Sequence, residues 1–225
     1  MRKIVRLAVI AVALTGISFA LPGPSVAAHG SRVVGIQVGY FVPATEGWKD
    51  GYDKRGGVTT GLTAGYALNA QWAIGAEAAY FSADNQARNA SGQPSIEKQE
   101  LTLIPVTVGL EYRLEFSPEQ VVVPFVGLGY RRVEYSLKVS SLSGIRGGAG
   151  GSVVRGGFDL LLDALDPLSA SGMQKEYGVA HTYLRFEAQL ANVSARSEPD
   201  PTTLAPQPDI DLGGKTFLLG LRFEF

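Results

Sequence analysis

The sequence predicts an all-β fold: a closed antiparallel eight-stranded transmembrane β-barrel, preceded by a cleavable signal peptide. Three observations predict it. Apolar side chains recur at alternate positions in run after run of the chain, the period that lines one face of a strand. The chain opens on a secretory leader and closes on GKTFLLGLRFEF, with Phe225 last. Past the leader no apolar run has helix-spanning length, and only helices and closed barrels satisfy every backbone group in lipid.

Composition narrows the function classes. The chain has 225 residues, 45% hydrophobic content and a formal net charge of -1, which argues against disorder and against a nucleic-acid footprint. Its 28 glycines disfavour a helical bundle, because each interior helix glycine costs about 1 kcal/mol relative to alanine. They suit strands that approach closely or bend. There is no cysteine, which excludes a disulfide scaffold, a thiolate metal site, a cysteine nucleophile and a lipoprotein anchor. His29 and His181 are the only histidines and are not at ligand spacing, so no metal or other cofactor is expected.

The leader sets the compartment. Arg2, Lys3 and Arg6 form a basic n-region, Leu7 to Leu21 is mostly apolar, and Val26-Ala27-Ala28 supplies small residues before a cleavage point after Ala28 or one residue earlier. An uncleaved anchor is the competing reading; against it, the run is short and Pro22-Gly23-Pro24 interrupts it. The expected organisation is a signal peptide over 1–28 and one barrel domain over 29–225.

The strands follow in order. Arg32 to Val42 sets Val34, Ile36, Val38 and Tyr40 against Gly35, Gln37, Gly39 and Phe41. Pro43 to Gly57 is a polar loop, and Val58 to Leu68 is the second strand. Asn69-Ala70-Gln71 makes a tight connection to Trp72–Phe81, which has aromatic residues at both ends, as membrane girdles require. Ser82 to Glu97 reads as loop and Lys98 to Leu114 as a long strand, in which Pro105 predicts a bulge or a local break in the ladder. A turn at Ser117-Pro118-Glu119 leads to a strand over Val121 to Leu137, and the Ser and Gly of Ser140 to Gly151 read as a loop.

The region 154–164 reads as a sixth strand, with a helical turn over FDLLLDAL as the competing reading. Asp166 to Glu176 is a connection, and Tyr177 to Asn192 is the seventh strand. Val193 to Gly213 holds too much Pro and Asp for a sheet interior. The closing strand then completes eight, pairing with the first so that no edge stays open. Long connections after strands one, three, five and seven alternate with shorter ones, although the one after strand six is long for that rule.

With the apolar rows turned outward, the lumen receives Gln37, Glu77, Glu111, Arg113, Asp159, Asp163, His181, Arg185, Glu187, Arg222 and Glu224. Isolated buried charges are prohibitive, so these must pair. The predicted luminal network sets Glu77, Glu111, Glu187 and Glu224 against Arg113, Arg185 and Arg222. Bracing of the wall is its expected role, because an eight-stranded interior is only wide enough for side chains to fill. A soluble lipocalin-like barrel is the fold alternative; it would turn Val34, Leu62, Ile74 and Leu221 inward.

Together FLLGLRFEF, PVTVGLEYRL (Pro105 to Leu114) and PFVGLGY (Pro124 to Tyr130) resemble the small eight-stranded outer-membrane barrels, the OmpA-transmembrane-domain, OmpX and OmpW group. The resemblance implies an integral protein of the Gram-negative cell outer membrane, non-enzymatic, with a structural role or a narrow or lateral pathway for small molecules. It implies outer-membrane lipid and the barrel-assembly machinery as partners, no nucleic acid, and a monomer. Phe217, Leu219, Leu221, Phe223 and Phe225 resemble the C-terminal assembly signal of such barrels. A surface contact or adhesion role through the long loops is the alternative. An outer-membrane lipid hydrolase is the remaining one, with His181 and Glu187 or Asp159 as candidate partners; Tyr183 stands where lipid A deacylases carry serine.

Overall fold

The computed structural model describes residues 31–45, 48, 55–88, 94–117, 120–139, 142–195 and 210–225; the expected signal peptide lies outside them. Nine antiparallel strands form one sheet: β1 (Ser31–Pro43), β2 (Gly57–Ala67), β3 (Trp72–Arg88), β4 (Pro94–Arg113), β5 (Val122–Val139), β6 (Leu142–Leu161), β7 (His181–Ala195), β8 (Ile210–Asp211) and β9 (Gly214–Glu224). Neighbouring staves pair in sequence from β1 to β7, β7 pairs β9, and β9 pairs β1. Eight staves therefore close a barrel, while the two-residue β8 rides on the end of β7. The seam runs from Val33↔Glu224 to Pro43↔Gly214. It is fastened by Phe225 N–H donating to the Arg32 carbonyl at 2.9 Å.

Alternation sorts the side chains as a barrel demands. Ile36, Val38, Leu62, Ile74, Val108, Leu128, Val154 and Leu219 are exposed on the outer wall, whereas Gln37, Glu77, Glu111, Asp159, Arg185 and Arg222 are buried inside. The lipocalin-like alternative fails on this point, since Leu62 and Ile74 face out. Aromatic residues bound the outer apolar band: Tyr40, Tyr80, Tyr130 and Phe217 toward one end, and Trp72, packed 4.9 Å from Tyr112, toward the other. On β5 the outer row runs Val122, Val126, Leu128, Tyr130 and then Arg132, whose Nε lies 2.7 Å from Glu134. At about 2.6 Å of height per tilted strand residue, Val122 to Arg132 spans about 26 Å, the height of a hydrocarbon core lined by a barrel wall.

The two ends differ. One holds the start of β1 and the end of β9, the seam's two chain termini, with the connections 68–71, 114–121 and 162–180. In the first of these, Asn69 Oδ1 accepts from the N–H groups of Gln71 and Trp72 at 2.9 and 2.8 Å, a side chain supplying the turn's hydrogen bonds. At the other end β3 to β6 run on beyond the upper aromatic girdle as paired hairpins.

Several expectations are corrected. Most of Ser82–Glu97 is strand rather than loop: β3 continues to Arg88 and β4 begins at Pro94, with residues 89–93 outside the described set. The glycine-rich stretch expected as a loop is strand from Leu142 onward, with residues 140 and 141 outside the described set. Cross-strand partners explain it: Gly147 lies opposite Tyr135, and a Cβ at Gly147 or Gly150 would collide with the rings of Tyr135 and Tyr130. Of the two alternatives at Pro105 the local break holds: pairing with β3 lapses between Ala78↔Val106 and Phe81↔Leu103 and resumes in unchanged register, so there is no bulge.

The sixth strand ends at Leu161, so 154–164 is strand for most of its length and turn thereafter. The connection that follows contains helix α1 (Pro167–Tyr177), and strand seven starts at His181 rather than Tyr177. At the N-terminus of α1, Asp166 accepts from Ser169 N at 3.1 Å and from its hydroxyl at 2.6 Å, with proline at the first helical position. Gly178 ends the helix at φ 71°, a left-handed conformation that favours glycine. These hydrogen bonds hold the Asp166 carboxyl below the usual carboxylate range. A depressed carboxyl contributes stability that is present above its unfolded pKa and lost as pH falls through the folded one. Protease cleavage of the 162–180 connection should therefore be unchanged between neutral pH and the ordinary aspartate range and rise in stronger acid, whereas in Asp166→Ala it should be fast throughout.

Candidate functional site: the lumen

The interior is divided into two tiers by what the inward rows carry. The tier at the seam-terminus end is polar and organised around Arg185 on β7. Its Nε and Nη2 donate to Asp159 at 2.7 and 2.9 Å, and its Nη1 and Nη2 donate to Glu111 at 3.0 and 2.8 Å. The guanidinium also lies 4.0 Å over the Phe125 ring. Two carboxylates in fork geometry plus a ring face leave almost no donor capacity unused.

Glu111 bridges outward from this centre. Its Oε1 also accepts from Arg222 Nη1 at 2.7 Å, and Arg155 Nη2 approaches its Oε2 at 3.6 Å. Arg222 Nε donates to Glu224 at 3.0 Å, and Glu224 accepts from Arg113. Arg113 in turn approaches Glu115 at 3.2 Å and lies 5.0 Å over the Tyr183 ring. Tyr183, Val123 and Leu161 pack together beneath as an apolar floor.

A second polar cluster sits above. Arg131 Nε donates to Thr107 at 2.8 Å, and its Nη2 reaches Glu77 at 3.3 Å and Gln189. Gln189 Nε2 donates to Glu77 at 2.8 Å and to Glu187 at 2.7 Å, and Glu187 lies 3.5 Å from Arg185. All the predicted network residues thus sit in the lumen and connect through Glu187. Two of the basic members that complete the set, Arg131 and Arg155, stand on the inward rows of β5 and β6 but are absent from the network the sequence predicts, as is Gln189. The readable signal was charge parity: four glutamates against three arginines leaves a buried acid unpaired. Space for Arg155 comes from Gly127, where an added Cβ would stand 2.8 Å from the guanidinium Nε.

Asp163 and His181 lie at the rim rather than in the network. His181 Nδ1 is 3.0 Å from Asp163, whose other oxygen accepts from Thr182 N at 3.0 Å. Neither Glu187 nor Asp159, the acids considered from sequence, is its partner, and the neighbouring ring is Tyr183. Gln37 stands apart, facing a cavity of about 40 Å³ whose lining includes Glu111, Arg155, Arg185 and Arg222.

Above the polar tier the lumen is apolar. Phe41, Trp48, Phe81, Leu101, Leu103, Val133, Ala149, Val193 and Leu212 form one buried cluster, with Phe41 and Phe81 edge to face at 5.1 Å. Among the described residues the wall here is incomplete. β2 begins at Gly57 and its last pairing with β3 is Thr59↔Phe81, so the strand ladder described for β3 beyond Phe81 is the one with β4. A hollow of about 300 Å³ occupies this notch, lined by Tyr40, Trp48, Gly56, Gly57, Val58, Ser82, Ala83 and Asp84.

On the outer wall, Phe217 and Leu219 of β9 are exposed and Leu221, Phe223 and Phe225 half-buried, all five on the row that faces away from the lumen.

The model of one protein family, described as outer membrane protein beta-barrel domain, matches residues 9–225. Among solved structures, the chain is similar to the outer membrane protein OprG from Pseudomonas aeruginosa, at 16% identity and a TM-score of 0.61 over 89% of this chain and 98% of that one. It is similar also to Neisserial surface protein A, at 13% identity and a TM-score of 0.54 over 87% and 99%. No curated protein sequence matches. At these identities the structural likenesses establish the shared fold.

Proposed function

Since the chain belongs to the outer membrane protein β-barrel domain family, we propose that it is a non-enzymatic barrel that admits small apolar molecules from the outer surface and releases them sideways into the membrane. The protein is an integral component of the outer membrane. By the barrel rule of short periplasmic turns and long outer hairpins, the end carrying the seam termini is periplasmic, and the notch lies on the extracellular side.

One observation carries the reading: a closed polar tier below an apolar outer lumen whose wall is notched above β2. The polar tier balances its charges at close range and blocks a straight aqueous path. The notch, at about 300 Å³, falls at the small end of the range for ligand sites and connects Trp48 and Ala83 of the lumen with Tyr40 and Val58 of the outer wall. A hydrolase is disfavoured because His181 is held by Asp163 next to a tyrosine, an arrangement without a nucleophile.

The barrel would work as a monomer in outer-membrane lipid, inserted by the barrel-assembly machinery through the outer row of β9. The test is twofold. In planar bilayers the protein should pass no appreciable ion current. In cells, expression should speed uptake of a small apolar solute, and Ala83→Arg, which puts a cation in the notch, should return uptake to the background rate. Pore-sized conductance, or full uptake in Ala83→Arg with the barrel folded, would sink the proposal.

A surface contact role has its own support in the β3–β6 hairpins that project past the upper girdle. Their outer faces carry Glu100, Arg132, Glu134 and Lys138, with ion pairs Arg132–Glu134 and Lys138–Glu100 at 2.7 and 3.6 Å. Shortening both hairpins beyond the Asp84–Glu100–Lys138 level, which leaves the notch residues in place, should abolish binding to a surface ligand while leaving uptake intact.

A further inference from the structure

The most exposed apolar side chains of the described residues are not all on the lipid band. Leu168 is 85% exposed, Phe116 77% and Leu165 74%, against 65% for Leu128 in the middle of the band. All three belong to the periplasmic connections. Each continues an outward strand row: Leu110 and Leu114 on the β4 side lead to Phe116, and Val154, Phe158 and Leu160 on β6 lead through Leu162 to Leu165 and Leu168. The outer apolar surface thus continues past the strand ends, with the Asp166 carboxylate between Leu165 and Leu168 turned to capping the helix.

Helix α1 adds a second observation. It has 11 residues, includes a proline, two serines and a glycine, and buries none of them. A helix this short is marginal in water even with strong formers, and most helix stability comes from packing an apolar face. Only Ala170, Gly172 and Met173 are even half-buried, while Leu168 and Lys175, seven residues apart on a common face, are exposed, and of those three only the side-chain-free Gly172 lies between them. Two good caps fix where the helix starts and stops; they do not supply the missing packing.

We propose that α1 and the β4–β5 turn rest on the inner, phospholipid leaflet of the outer membrane, with Leu165, Leu168 and Phe116 inserted at its headgroup boundary and Lys175 reaching the headgroups. The occupant is lipid because the surface is continuous with the lipid-facing wall. The outer row gives a partner protein no separate patch to recognise. Segments lying at the interface bind in proportion to the apolar area they bury, which here is the three side chains Phe116, Leu165 and Leu168 rather than a whole helix face. The consequence is an anchor that fixes the depth of the barrel and covers the longest periplasmic connection.

The absence of native cysteine makes the test direct. Leu168→Cys carrying a nitroxide, in the full chain reconstituted in phospholipid vesicles, reports collision rates with dissolved oxygen and with a water-soluble nickel chelate. Leu128→Cys is the lipid control, and Gln174→Cys the water control on the same helix. The label at 168 should favour oxygen several-fold more than the label at 174. Equal access of the nickel chelate to both positions, in protein that retains its heat-dependent gel shift, overturns the proposal; a site reserved for a periplasmic protein would give that result. As a second measurement, Leu165→Asp combined with Leu168→Asp should speed protease cleavage between Ala164 and Gly178 several-fold in vesicles. An unchanged rate in a folded barrel would overturn it equally.

Discussion

Glu111→Ala should destabilise the folded barrel by about 3–5 kcal/mol, the cost of breaking a buried ion pair by removing one partner. Glu111 is the shared acceptor of Arg185 and Arg222 at 2.7–3.0 Å and the nearest carboxylate to Arg155 at 3.6 Å. Without it Arg185 keeps Asp159 and Arg222 keeps Glu224, but the tier holds one more buried positive charge than negative. Glu111→Gln keeps the shape and removes only the charge, so it should lose most of the same stability. Replacing Arg155 as well should recover part of it, because a double change restores the balance and neighbouring effects do not add. Urea titration of the barrel in vesicles, followed by the gel shift of the folded form, measures each. The polar tier is also the barrier to ions in the lumen, so Glu111→Ala is the variant in which a small conductance should first appear. A loss below about 1 kcal/mol would mean that the wall, rather than the charge cluster, carries the fold.

The same tier shows which parts of the molecule could be read from sequence. Face assignment was legible because it depends only on period two: Glu77, Glu111, Arg185 and Arg222 sit opposite Tyr80, Leu110, Phe186 and Leu219 by parity. Closure was legible too, since the alternation of β9 matches that of β1. Partner choice was not. Whether Glu77 meets Arg113 or Arg131 depends on strand tilt and register, and one residue of register moves a side chain by a whole layer of the lumen.

Strand ends were the other weakness. Gly147 to Gly151 has the composition of a loop, yet it is strand because Tyr135 and Tyr130 on β5 lie across it. Cross-strand pairing of this kind has no local signature. By contrast, the capping signal of α1 was present in DPLSASGMQKEYG: an N-cap aspartate, proline at the first helical position and a glycine just past the end. The notch above β2 follows from the same limitation. The polar run before Val58 reads as an ordinary loop, and only the continued pairing of β3 with β4 shows that among the described residues no neighbouring stave accompanies it there.

Leu128→Arg should cost about 2–4 kcal/mol, the penalty for a cation on the lipid face of a barrel at mid-membrane. Leu128 is 65% exposed on the outer row of β5, between Val126 and Tyr130, and pairs with Leu110 on one side and Val154 on the other. The carboxylate on that row, Glu134, lies six residues away and is paired with Arg132, so the guanidinium must snorkel past Tyr130 or thin the bilayer. Beyond that pair the situation reverses. Ser136→Arg, on the same row beyond the Arg132–Glu134 pair, should cost no more than about 1 kcal/mol, because it lies past the girdle in water and headgroups. The contrast in urea midpoint between the two variants, in vesicles of one thickness, locates the upper membrane boundary on β5. Equal costs at 128 and 136 would place that boundary elsewhere. A step between them would fix the girdle of Tyr40, Tyr80 and Tyr130 at the outer-leaflet boundary, and with it the lower rim of the notch at Val58, which pairs with Tyr40.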